Sequence, residues 1–157
     1  MYRNVLAAVD ASRAAPLVTA HAVAIAQAFH SRLTLVTVVP SLPSFAYSAT
    51  IDADALEQEA VRSSERVLRD ALELVPPDLP VRTIVRPGGH AGLQIVDCAE
   101  QGLHDLIVVG SRHRGRVASG LLGSVAADVH FNTRIPLLIV PARDAEAEPP
   151  AEPPSPR

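Results

Sequence analysis

The chain of 157 residues contains no lysine; all fourteen of its basic residues are arginine. This one absence removes the phosphate-loop lysine, the Schiff-base lysine and the lysine general base together. There is no tryptophan, and aromatics make up 3% of the chain, which argues against a stacking platform for single-stranded nucleic acid. A net charge of −3 gives no general attraction to nucleic acid or to an anionic membrane surface. A single cysteine, Cys98, excludes an internal disulfide and fits a reducing compartment. The apolar run near the start, in MYRNVLAAVDAS, is too short for a signal sequence or a membrane span. A cytoplasmic protein without nucleic-acid or membrane partners is expected.

What is present is an alternation of strand and helix patterns. NVLAAVD (4–10) reads as a buried strand, Ser12 as a helix N-cap, and Val18, Ala22, Ile25 and Phe29 as a helical stripe. RLTLVTVV (32–39) is a β-branched second strand, ended by Pro40. Residues 40–51, with two prolines and four Ser/Thr, form a long loop suited to binding. Asp52 or Asp54 caps a long helix that buries Leu56, Ala60, Val67, Ala71 and Leu74. VRTIVR (81–86) alternates as an edge strand does. A third helix, 91–101, buries Leu93, Val96 and Cys98 and ends at Gly102. DLIVVG (105–110) is the most apolar strand and so central. A fourth helix begins at Gly123 or Ser124, with Asn132 as its cap, and IPLLIVP (135–141) is the fifth strand. The acidic, proline-rich segment 142–157 reads as a disordered tail behind a single domain, 1–141.

This order predicts an α/β fold: a doubly wound five-stranded parallel sheet, Rossmann-like, with helices on both faces. Ligands of such sheets bind beyond the carboxyl ends of the strands, where the strand order reverses. Asp10, after the first strand, and the segment from Gly110, after the fourth, fall there. The stretch GSRHRGRVASGLLGS (110–124) carries four glycines, three arginines and no acidic residue. Glycines let a backbone approach an anion, and the first amides of a helix attract phosphate. Arg112, Arg114 and Arg116 could neutralise phosphate charge or lie in a solvated loop. The stretch is neither a dinucleotide fingerprint, since no glycines follow the first strand, nor a Walker loop, since lysine is absent.

These residues carry a resemblance. VLAAVDAS resembles the first strand of the universal stress protein family, and 105–140 resembles its carboxyl-terminal signature, G-x2-G-x9-G-[S/T] followed by a helix and an apolar strand. The likeness covers 1–141. It implies a sheet of order 3-2-1-4-5 and an adenine-nucleotide cofactor, ATP with or without Mg²⁺. It implies Asp10 at the adenine–ribose end, Val38 or Val39 against the base, and Val109 and Gly110 lining base and ribose. Gly123, Ser124 and the Val125 amide would hold the phosphates. It also implies a homodimer through the last strand, Pro136, Leu137, Leu138, Ile139 and Val140, whose apolar edge would otherwise lie bare. Nucleotide occupancy would bias its conformation or its protein partners.

Two positions depart from the pattern. Ala11 stands where a glycine is usual, and His113 stands at the second motif glycine. Histidine there narrows a pocket, yet a protonated imidazole can donate to phosphate; Gly115 offers the turn in a shifted loop. His21, His30, His90, His104 and His130 show no metal-ligand spacing and read as surface or half-buried, His90 being the one on the ligand side. Three functions fit this pattern to different degrees: a nucleotide-binding stress or regulatory protein, a dimeric interaction module that has lost ATP, and a slow ATPase. The last lacks a general base, and a receiver domain of similar pattern would need a lysine after the fifth strand.

Overall fold

A computed structural model describes residues 1–41, 52–111 and 123–141. The element order is β1 (Asn4–Ala8), α1 (Ala15–Phe29), β2 (Arg32–Val38), α2 (Ala53–Leu72), β3 (Val81–Arg86), α3 (Ala91–Gln101), β4 (Leu106–Ser111), α4 (Ser124–Asn132) and β5 (Leu137–Pro141). The five strands form one parallel sheet in the order β3-β2-β1-β4-β5. The fold class and strand order expected from the sequence are both found. The expected tail, 142–157, lies outside the described residues.

Strand alternation divides the core in two. Val5, Ala7, Leu33, Leu35 and Val108 pack with α1 and α2 on one face. Leu6, Val36, Ile107 and Val109 pack with Ile95, Val96, Ala99, Ala126 and Val129 of α3 and α4 on the other. β1 and β4 are buried on both faces, as central parallel strands must be, whereas β3 is half-exposed at an edge.

Several local expectations are corrected. Ser12 does not cap α1; its amide donates to Asp10 Oδ1 at 3.0 Å, so the aspartate side chain makes the turn and Ala14 is the N-cap. In α2 the buried stripe is Ser64, Leu68 and Ala71, while Leu56 and Leu74 are exposed. A serine in that stripe hid its phase; Ser64 is tolerated there because its hydroxyl donates to Ala60 O at 2.9 Å. Asp52, one of the two candidates, is the α2 cap and accepts from Ala55 N. In α3, Leu93 is exposed and Ile95 and Ala99 bury instead. Gly102 does end α3, but with φ −87°; the left-handed residue is Leu103, at φ 52°. Gly102 has another purpose: a Cβ there would lie 2.3 Å from His104 Cε1. Thr133, not Asn132, is the backbone cap of α4, although Asn132 Nδ2 donates back to Asp128 O.

Candidate functional site

The carboxyl ends of β1, β2 and β4 open into a cleft of about 400 Å³. That size lies within the range of small-molecule sites. It opens where the strand order reverses between β1 and β4, which send their following helices to opposite faces. The walls are largely apolar. Val9 and Val39 are buried, Val38 is half-buried, and Val109 is 1% exposed.

Polar groups enter from three segments. Asp10, just past β1, is half-buried and fixed by its bond to the Ser12 amide. The start of α4 supplies Gly123, Ser124 and Val125. Gly123 is the N-cap and has no side chain to occupy the first free amides, so those donors face the cleft uncapped by their own helix. Ser41, past β2, and Gly89, in the turn after β3, form the third group. The Gly89 amide donates to Ser41 Oγ at 2.9 Å. Gly89 has φ +133°, a conformation open to glycine alone in practice, so the PGGH turn has a backbone reason for its second glycine.

Gly110 has two duties. A Cβ on it would stand 3.1 Å from Ala14 Cβ and 3.3 Å from Val18 Cγ2, so the missing side chain lets α1 lie against β4. The same bare backbone forms part of the cleft wall. Val109 and Gly110, adjacent in a strand, point to opposite faces. Both still reach the cleft because it lies at the sheet's end.

The structure thus brings together Asp10, Val38, Val39, Val109, Gly110, Gly123, Ser124 and Val125 around one cleft. Arg112, His113 and Gly115 lie outside the described residues. Sequence reasoning missed Ser41, Gly89 and Ala14. Gly89 had a usable signal, a glycine pair between a strand and a helix, and Ser41 lies in the 40–51 loop expected to suit binding; Ala14 had none.

The histidines separate by environment. His21, His30, His90 and His130 are exposed, and His90, the N-cap of α3, has Nδ1 3.5 Å from Asp128 Oδ2. His104 is the correction: it is buried, 6% exposed. Its Nδ1 lies 3.2 Å from Ala99 O and its Nε2 3.0 Å from Thr34 Oγ1. A carbonyl can only accept, so the proton sits on Nδ1 and Nε2 accepts from the threonine hydroxyl. Burial pushes its pKa below 6.5, and the Arg82 charge adds to that. Among the described residues no group of three His, Cys, Asp or Glu could hold a metal ion, and no helix is long and apolar enough to cross a membrane.

Comparison with known proteins places the chain in a family. The family model described as "Universal stress protein family" matches residues 1–141. The chain is 30% identical over 146 residues to the universal stress protein A homolog of Haemophilus influenzae, covering 92% of this chain and 99% of that one. A universal stress protein crystallised in complex with cAMP superposes with a TM-score of 0.63 at 28% identity, covering 88% of this chain and 97% of that one. A universal stress protein from Archaeoglobus fulgidus in complex with dAMP gives a TM-score of 0.65 at 21% identity, over 88% and 98% of the two chains. On the family match and the Haemophilus relative together, the chain belongs to the universal stress protein family.

Proposed function

We propose that this protein is an adenine-nucleotide-binding regulatory or stress-response protein, with ATP as its ligand. The observation that carries the reading is the meeting of an apolar slot and a helix amino terminus in one cleft. Val38, Val39 and Val109 offer a dry surface for a base, Asp10 an acceptor for ribose hydroxyls, and the first amides of α4 a positive end for phosphate. The relative crystallised with cAMP, at 28% identity, supports an adenine nucleotide as the ligand class. The motif glycine–serine, Gly123 and Ser124, supports phosphate at that end of the cleft. Mg²⁺ would accompany a polyphosphate, with no residue of the described cleft beyond Asp10 suited to it.

The nucleotide acts in this reading as a ligand rather than a substrate. Asp10 is the one titratable side chain among the described residues lining the cleft, and a lone carboxylate offers no acid–base pair. Occupancy would bias the conformation offered to a protein partner in the cytoplasm. A homodimer through β5 completes the reading: Leu137, Leu138 and Ile139 are half-buried on a strand at the sheet's edge.

The test is to denature the purified protein and look for released adenine nucleotide, then to titrate the emptied protein with ATP and Mg²⁺ by calorimetry. Saturable binding that Ser124→Ala weakens about tenfold, the worth of one hydrogen bond to a charged group, is expected. No binding at millimolar nucleotide would overturn the ATP reading. It would favour the dimeric interaction module, for which His113→Gly should then create binding.

A further inference from the structure

We propose that the opposite end of the sheet holds a second binding site, for a small phosphate-type dianion, with Arg32 and Arg82 as its charged walls. A second cleft of about 300 Å³ opens there, lined by Arg32, Thr34, Arg82, Gly102, His104 and Asn4 among others.

Register places these residues together. β1 pairs Asn4 with Arg32 and Leu6 with Thr34; β2 pairs Thr34 with Arg82. Alternation then puts Asn4, Arg32, Thr34 and Arg82 on the face that carries Leu6 and Val36, the face covered by α3 and α4. The cleft floor is the buried pair His104–Thr34, and the roof is the end of α3 at Gly102.

Both guanidinium side chains are exposed and, among the described residues, unpaired. Among the described residues neither Arg32 nor Arg82 has an ion pair or a side-chain hydrogen bond; the described ion pairs lie on α2 and at His90. The nearby acceptors are already used. Ala99 O takes the His104 amide and Nδ1, Cys98 O takes the Gly102 amide, and Glu100 O takes the Leu103 amide. The nearby carboxylate, Asp105, takes the amides of Arg3 and Asn4 at 2.8 and 3.1 Å. Two guanidiniums, each with five donors and no acceptor, thus flank a polar hollow in which no carboxylate pairs with them; an anion there must outweigh the Asp105 charge and the carbonyl end of α3. Guanidinium forks match the oxygens of phosphate in pairs, and two of them balance a dianion. The hollow exceeds the volume of a lone phosphate, which leaves room for the organic part of a phosphomonoester.

The test uses the full chain and two probes at fixed ionic strength, inorganic phosphate and glycerol 3-phosphate, followed by NMR. Saturable shifts at the His104 ring protons and the Arg82 and Gly102 amides are expected. Arg32→Gln and Arg82→Gln should each weaken binding about tenfold. Arg82→Lys should retain part of it, and Arg69→Gln, exposed on α2 and lining neither cleft, should leave it unchanged. Tighter binding of the monoester identifies an esterified ligand, and equal binding the free anion; both support the site. Shifts that do not saturate, or that survive in the double variant R32Q/R82Q, overturn it. The spectra themselves report whether each variant is folded.

Discussion

The two ends of the sheet present opposite chemistry. At the carboxyl ends of the strands, the cleft walls among the described residues are largely valines, their one charge is Asp10, and a positive field comes from the backbone at the start of α4. At the amino ends, a helix terminates instead of beginning. α3 points its carbonyl end toward the hollow, and the positive charge there is carried by Arg32 and Arg82. One end uses peptide dipoles, which are fixed by the topology of a parallel sheet. The other uses side chains, which a single substitution can remove. Single substitutions can therefore remove the positive charge of the second end but not the backbone dipoles of the first.

The largest expected break falls at the amino end. Gly102→Ala puts a Cβ 2.3 Å from His104 Cε1 and 3.1 Å from Cys98 O, so the imidazole must leave its pocket. Overpacking and the lost His104–Thr34 bond together should cost about 3 kcal/mol in denaturant unfolding. The same variant should change the pH profile. In the unaltered protein the pKa of His104 is lower folded than unfolded. The stability this confers is complete above the unfolded value, 6.5, and is lost as pH falls below it, until the folded pKa is passed. Stability curves between neutral and mildly acidic pH should slope accordingly, and Gly102→Ala should flatten that slope.

A smaller effect is expected at the carboxyl end. Gly110→Ala meets Ala14 Cβ at 3.1 Å and Val18 Cγ2 at 3.3 Å, contacts that α1 can relieve by a slight shift. A loss of about 1 kcal/mol is expected, with a weakened nucleotide isotherm because α1 also borders the cleft. An unchanged isotherm would separate the packing duty of Gly110 from its place in the wall. Smallest of all, Leu103→Gly relieves a left-handed, 80% exposed leucine. It should raise the unfolding midpoint by an amount equivalent to about 1 kcal/mol, without touching either cleft's walls.

The carboxyl-end cleft was more legible in the sequence than the other. Asp10, Gly110 and Gly123–Ser124 announce themselves because turns and helix starts need particular residues at particular offsets. The strands were legible for a similar reason, since runs of Val, Leu and Ile between breakers admit few other readings. α2 was not, because a stripe containing Ala60, Ser64 and Ala71 carries little hydrophobic contrast, and Leu56 and Leu74 outweighed it. The amino-end hollow left no mark at all. Arg32, Arg82 and His104 are far apart in the chain and belong to no motif; only the β1–β2–β3 register brings them to one face.

The bond from the Gly89 amide to Ser41 Oγ carries a consequence for dynamics. It joins the exit of β2 to the exit of β3, and β3 is the outermost strand on that side. Edge strands open most readily in hydrogen exchange. Because Ser41 and Gly89 also border the carboxyl-end cleft, a ligand that orders either one should slow the fraying of β3. Occupancy of the cleft would then be readable at a distance, as exchange protection spreading from Arg86 back along the sheet's margin.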